Sequence, residues 1–143
     1  MTARIEGPGK PLTNDDLADL ERTLRAALPS QYRGFLLRNN GGIPSPDTVD
    51  VDGVPGSPTD VQVFFGIGRP VESSDLSWNR QTFSDRLPDR MLPIACDSGG
   101  NLFCLSLSGE DAGSVIYVDL EQRQPAFYLA AEGFDAFLGK LSE

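Results

Sequence analysis

The sequence predicts a single α+β domain in which a central antiparallel sheet carries N-terminal helices and a C-terminal helix on one face. Three observations lead there: helical spacing dominates residues 13–40, short apolar runs separated by turn residues fill the second half, and a helical stripe closes the chain. Strands that follow one another with helices grouped outside them build an antiparallel sheet, whereas a parallel sheet needs strands and helices in alternation. The chain of 143 residues suits one core. Residues 1–143 are therefore read as one domain, with residues 1–11 expected to form a flexible N-terminal segment.

Each element has its own signal. Thr13 stands before Asn14, Asp15 and Asp16, so a hydroxyl and an acidic first turn meet the free amides and positive end of a helix. Leu17, Leu20, Leu24 and Leu28 form its apolar stripe, and Pro29 is expected to end it. Ser30 reads as a second N-cap, and Tyr32, Phe35 and Leu36 as the apolar face of a short helix. Asn39-Asn40-Gly41-Gly42 supplies residues that tolerate the left-handed turn at its end. Pro44, Pro46, Pro55 and Pro58 with Gly53 and Gly56 predict a loop over residues 43–60, with a short edge strand at 48–51. Residues 61–65 read as a buried strand, and residues 74–87 as a helix bearing Leu76, Trp78, Phe83 and Leu87. Residues 91–97, 101–108 and 114–119 then form a meander, with a further strand at 126–130. Phe134, Phe137, Leu138 and Leu141 line one face of a closing helix.

Composition removes whole classes of function. Twelve Lys+Arg against twenty-one Asp+Glu give a net charge of −9, a field that repels phosphate backbones and anionic membranes. No nucleic acid and no membrane is expected as a partner. The absence of histidine excludes Ser-His-Asp, Cys-His and histidine-based zinc chemistry. No catalytic residue, cofactor or metal is expected. Two cysteines are too few for a stapled secreted scaffold, and residues 1–17 hold no apolar stretch of signal-peptide type. A cytoplasmic protein is expected.

Two blocks of sequence carry a resemblance. The first contains Leu28, Pro29, Tyr32, Phe35, Leu36, Asn40, Gly41 and Gly42; the second contains Pro93, Ile94, Ala95, Asp97, Gly99, Gly100, Gly113 and Val115. In this order and separation they resemble the SUKH superfamily, whose best-known branch is the fungal cell-wall-assembly regulator family. The likeness spans most of residues 12–141. It implies an α+β fold with a central antiparallel sheet, no catalytic constellation, and a role as a bacterial immunity protein that neutralises a polymorphic toxin of nuclease or deaminase type. A regulatory or scaffolding module that binds an endogenous protein is the alternative it implies. The chain departs from the family pattern in having no histidine and in the long Pro/Gly stretch after Gly42, and the family form often has one residue fewer before Asn40.

Candidate sites are few. Asp97, Ser98, Gly99, Gly100 and Asn101 form the cluster best suited to a small polar ligand, because glycine amides flanked by Asp and Asn can hold an anion. A hairpin turn needs the same residues. Cys96 and Cys104 lie across it; a three-residue loop would place both on one sheet face, a two-residue loop on opposite faces. Asp47, Asp50, Asp52 and Asp60 fall in a loop with no base, and seven acids oppose two bases in residues 110–143. Such charge is ordinarily solvated surface, but it also suits electrostatic steering of a cationic protein such as a toxin domain. Asp47, Asp50, Asp52, Asp60, Asp75 and Trp78 are the residues expected to meet that partner, although Trp78 beside Leu76 and Phe83 also reads as core.

Overall fold

A computed structural model describes residues 3–143. The first helix, α1 (Asn14–Leu24), begins as its sequence predicts. Thr13 Oγ1 accepts from the Asp16 amide at 3.2 Å, and Asp16 Oδ2 accepts from the Thr13 amide at 2.8 Å, a reciprocal cap. Its end comes a turn earlier than Pro29. Arg25 adopts φ 55, with its amide donating to Arg22 O and the Ala26 amide to Glu21 O, so the chain reverses there. Leu28 extends the stripe in sequence but enters the core from a loop, its amide held by Glu21 Oε2 at 2.7 Å.

Helix α2 (Ser30–Arg38) buries Tyr32, Phe35 and Leu36. Its N-cap is Pro29 with no side-chain cap, so Ser30 is the first helical residue instead of the cap. The left-handed turn after it falls on Gly41 and Gly42, at φ 70 and 128.

Within the N-terminal segment expected to be flexible, β1 (Arg4–Glu6) pairs antiparallel with β2 (Ile43–Ser45); Met1 and Thr2 lie outside the described residues. The Pro/Gly-rich loop holds a second small pair, β3 (Thr48–Val49) with β4 (Thr59–Asp60). The main sheet contains β5 (Val63–Phe64), β6 (Met91–Cys96), β7 (Leu102–Ser106), β8 (Val115–Asp119) and β9 (Ala126–Ala131), in that spatial order and antiparallel throughout. Between β5 and β6 come a 3-10 turn and α3 (Leu76–Thr82). The chain closes with α4 (Phe134–Lys140).

An aromatic cluster locks the helices to the sheet. Phe134 of α4 stands 4.8 Å from Phe35 and 5.2 Å from Tyr32 of α2, Phe35 stands 5.1 Å from Phe64 of β5, and Phe137 stands 5.1 Å from Phe103 of β7. The sheet differs from expectation in being covered on both faces. Every residue of β7 and every β6 residue from Met91 to Ala95 is buried. Successive strand residues point to opposite faces, so unbroken burial needs cover on both. The second face is met by α3 against β6, with Phe83 and Leu87 packed on the core. Only β9 alternates between covered and exposed positions among the main strands of the meander.

Candidate functional site

The turn between β6 and β7 is built around a buried carboxylate. Asp97, 3% exposed, accepts at Oδ1 from the Gly99 amide at 3.0 Å and the Asn101 amide at 2.8 Å. At Oδ2 it accepts from Thr59 Oγ1 at 2.9 Å and Tyr117 Oη at 2.5 Å. Four donors occupy the lone pairs that a small-ligand site would need. Asn101 is equally engaged, accepting from the Leu120 amide at 2.8 Å. Ser98 turns outward, its amide 2.9 Å from Asp60 Oδ1 and its hydroxyl bonded to Asp60 Oδ2. Gly99 and Gly100 are exposed, and Gly100 takes φ 88. The five residues are brought together, but as a turn that pins β4 to the sheet. Burial, reinforced by the hydrogen bond to Asp97, raises the Tyr117 hydroxyl well above its usual pKa.

The thiols share the face that a three-residue loop predicts, although a bulge between Pro93 and Ala95 sets Pro93 and not Ile94 opposite Cys104. Cys96 faces Leu102, and Cys104 lies two residues along the same strand, so both sulfurs share one face. Both are free. Desolvation, with the charges of Asp97 and Asp60 adding to it, pushes Cys96 up to about 11, and burial raises Cys104 further. At pH 8 the Cys96 thiolate is then about one part in a thousand, against about a quarter for an ordinary thiol. In the folded protein Cys96 is expected to react with Ellman's reagent about 100-fold more slowly than a free cysteine, and Cys104 to react only after denaturation. Prompt release of chromophore from native protein would refute this.

Of the acids expected to meet a partner, Asp47, Asp50 and Asp52 are exposed. Asp50 makes a local bond, accepting from Ser57 Oγ at 3.2 Å. Asp60 is half-buried against Ser98 as described. Asp75 is the N-cap of α3: its Oδ2 accepts from the Trp78 amide at 3.2 Å and its Oδ1 from the Arg69 amide at 3.1 Å. Trp78 lies on the outer side of that helix, 36% exposed, while Leu76 and Asn79 are buried. Three carboxylates and one indole therefore remain free to touch another molecule, and two carboxylates are structural. Among the described residues, no group of three or more His, Cys, Asp or Glu side chains is placed to hold a metal. No helix among them is long and apolar enough to cross a membrane.

The sequence did not single out a further exposed feature. Phe127 and Leu129 of β9 are 44% and 50% exposed, beside a shallow groove of about 270 Å³ whose lining includes Pro88, Arg90, Met91 and Ile116. The rim carries Arg90 paired with Asp111 at 2.8 Å. The Ser106 hydroxyl, and then Arg90, hold the Asp111 carboxyl below the usual range. Alternation of Phe and Leu with Ala and Tyr was legible in residues 126–130; that no further strand among the described residues covers them was not.

Two comparisons with known proteins bear on this chain. A family model described as the SMI1 / KNR4 family (SUKH-1) matches residues 11–140. A relative from Bacillus subtilis (strain 168), the SPbeta prophage-derived uncharacterized protein YokK, is 31% identical over 145 aligned residues, covering 90% of this chain and 74% of its own length.

Proposed function

Because the chain belongs to the SMI1 / KNR4 (SUKH-1) family, whose members are commonly toxin-immunity proteins, we propose that it is a cytoplasmic immunity protein that neutralises a polymorphic toxin by binding it directly. No bond is made or broken by this chain in that mechanism. The observation that carries the reading is the family match over nearly the whole domain. A nuclease or nucleobase deaminase toxin must attract phosphates, so its cleft is basic. An acidic protein of net charge −9 is drawn to that cleft and obstructs it. Asp47, Asp50 and Asp52 on their exposed loop supply the steering, with Trp78 as an exposed aromatic contact.

Co-expression with any toxic domain found encoded beside this chain's own gene tests the reading. Restored growth together with a stable complex of the two proteins supports it. Growth arrest in the presence of well-folded protein refutes it, as does a gene with no toxin neighbour whose product instead holds an endogenous regulator. Steering makes a quantitative demand on the same pair. Replacing Asp47, Asp50 and Asp52 together by Asn should slow association about 10-fold at low ionic strength while leaving dissociation nearly unchanged. Equal association rates measured by stopped flow, with no dependence on salt, would remove the electrostatic part of the mechanism.

A further inference from the structure

We propose that the free edge of β9 is where the partner docks, by adding an extended strand that carries lysine or arginine between apolar residues. The proposal rests on the reading of this chain as a protein-binding protein and names the surface and the chemistry of the segment it takes. Strand β9 pairs with β8 on one side, and among the described residues no backbone bond joins its other side to a strand. The far edge is different: Gly42 bridges Phe64 there, so β5 is continued by the segment leading into β2.

Side-chain rows show what the edge lacks. On one face Leu102, Val118 and Phe127 stand opposite one another across three strands, and so, one step along, do Cys104, Ile116 and Leu129. Exposure along the first row is 1%, 0% and 44%, and along the second 0%, 6% and 50%. Two rows of the hydrophobic core thus run out to the last strand and end in water. A further strand would continue both rows outward past Phe127 and Leu129, which border the groove on its inner side. In such pairing the main chain supplies affinity and alternate side chains supply selectivity.

Edges of this kind are normally blunted by a charge, a proline or a bulge. Residues 126–129, Ala-Phe-Tyr-Leu, contain neither charge nor proline. Pro125 stands just before this stretch, and the remaining protection is at the far end of the strand. There the register shift leaves Ala130 unpaired, and Lys140 Nζ donates to its carbonyl at 2.6 Å. The accessible pairing stretch is therefore residues 126–129.

Charge selects the occupant. The turn at Gly53 lies against the Tyr128 ring, bringing the loop of Asp50 and Asp52 to one flank. Asp119 stands opposite Ala126 at one end and Glu132 follows the strand at the other, so with Asp50 and Asp52 the acids outnumber the nearby bases Lys140 and Arg123, Arg90 being paired with Asp111. A second copy of this chain would set these acids against their own counterparts, on two molecules of charge −9 each. A basic strand meets them with the opposite sign.

The test titrates the full 15N-labelled chain with an extended peptide of about eight residues alternating Lys and Val. An otherwise identical Glu–Val peptide and a Lys–Val peptide N-methylated at every residue serve as controls. The Lys–Val peptide should shift the amides of residues 126–129 saturably, with affinity falling about 10-fold between low salt and about 0.3 M salt. The N-methylated peptide, which cannot donate to an edge, and the Glu–Val peptide should leave them unmoved. Leu129→Lys, at an exposed position and checked for unchanged thermal unfolding, should abolish the response. Shifts centred elsewhere, an equal response to the Glu–Val peptide, or dimerisation of the chain through these amides would overturn the proposal. The co-expression assay separates it from the immunity reading. If wild type rescues growth and Leu129→Lys rescues equally, the edge is not the docking site and the immunity reading survives. If the peptide binds at the edge but wild type gives no rescue, the edge stands and the immunity reading falls.

Discussion

Gly41→Ala is expected to destabilise the protein by about 3–5 kcal/mol, lowering its melting temperature by roughly 10 °C or more. Two effects combine. Gly41 has φ 70, and a Cβ there would stand 2.7 Å from Phe64 O, 2.8 Å from Phe65 C and 2.9 Å from Gly66 N, all backbone atoms. Backbone atoms of a strand cannot step aside as a flexible side chain can. The junction they form is heavily used. Asn40 Nδ2 donates to Lys10 O and Ile67 O, Asn40 Oδ1 accepts from the Ile67 amide at 2.7 Å, and the Gly42 amide donates to Phe64 O. Gly68 provides the control, because it has φ 69 but open space around its missing Cβ. Gly68→Ala should therefore cost only the left-handed backbone term, about 1–2 kcal/mol. Equal melting temperatures for the two variants would show that crowding at Gly41 is absent.

Asp97→Ala is the second large effect, at about 3–4 kcal/mol. It removes the acceptor shared by Tyr117, Thr59, Gly99 and Asn101. Each donor left buried without a partner costs about 1–3 kcal/mol, and those near solvent recover part of it from water. The carboxamide of Asp97→Asn keeps one oxygen for the two amides and turns its NH2 toward two hydroxyls that can accept. It should cost about half as much. Tyr117→Phe deletes one donor and leaves three, for about 1 kcal/mol. Chemical denaturation of the three variants should give the order Ala, Asn, Phe from worst to mildest. A harmless Asp97→Ala would mean that the turn is held by its glycines alone.

This network also shows how far the sequence can be read. The turn itself was legible, since Gly99 and Gly100 between two apolar runs permit little else. Two of the four donors to Asp97 were not, because Thr59 and Tyr117 lie 38 and 20 residues away from it. Local signals were read correctly at Thr13, whose cap needs only the next three residues, and at Phe134 and Phe137 on the closing helix. The same logic failed at Leu28. Its spacing continues the α1 stripe, and nothing nearby announces that Arg25 turns left-handed. Strand β1 was invisible for a related reason: Arg-Ile-Glu becomes a strand only because Ile43–Ser45 lies beside it. Double cover of the sheet, by contrast, was encoded in the unbroken apolar runs of β6, β7 and β8, which an alternating one-faced sheet does not produce.

The candidate surface divides in the same way. Asp47, Asp50 and Asp52 are exposed as a Pro/Gly loop demands. Asp75 was drawn into a helix cap by the very position, ahead of Leu76 and Trp78, that made the region look like a contact. Trp78 consequently faces outward while its neighbours Leu76 and Asn79 are buried. Phe127 and Leu129 carry an ordinary strand pattern, and their exposure is a property of sheet order, which depends on every other strand.

Titrating a fixed amount of a nuclease or deaminase toxin domain that the purified protein binds, and following toxin activity, is the most direct measurement. Inhibition by occupancy predicts that activity falls linearly and reaches zero near one equivalent, that the end point does not change with incubation time, and that separating the proteins restores activity. Loss of activity at far less than one equivalent, growing with time and persisting after separation, would mean that this chain chemically alters its target and does not act by holding it.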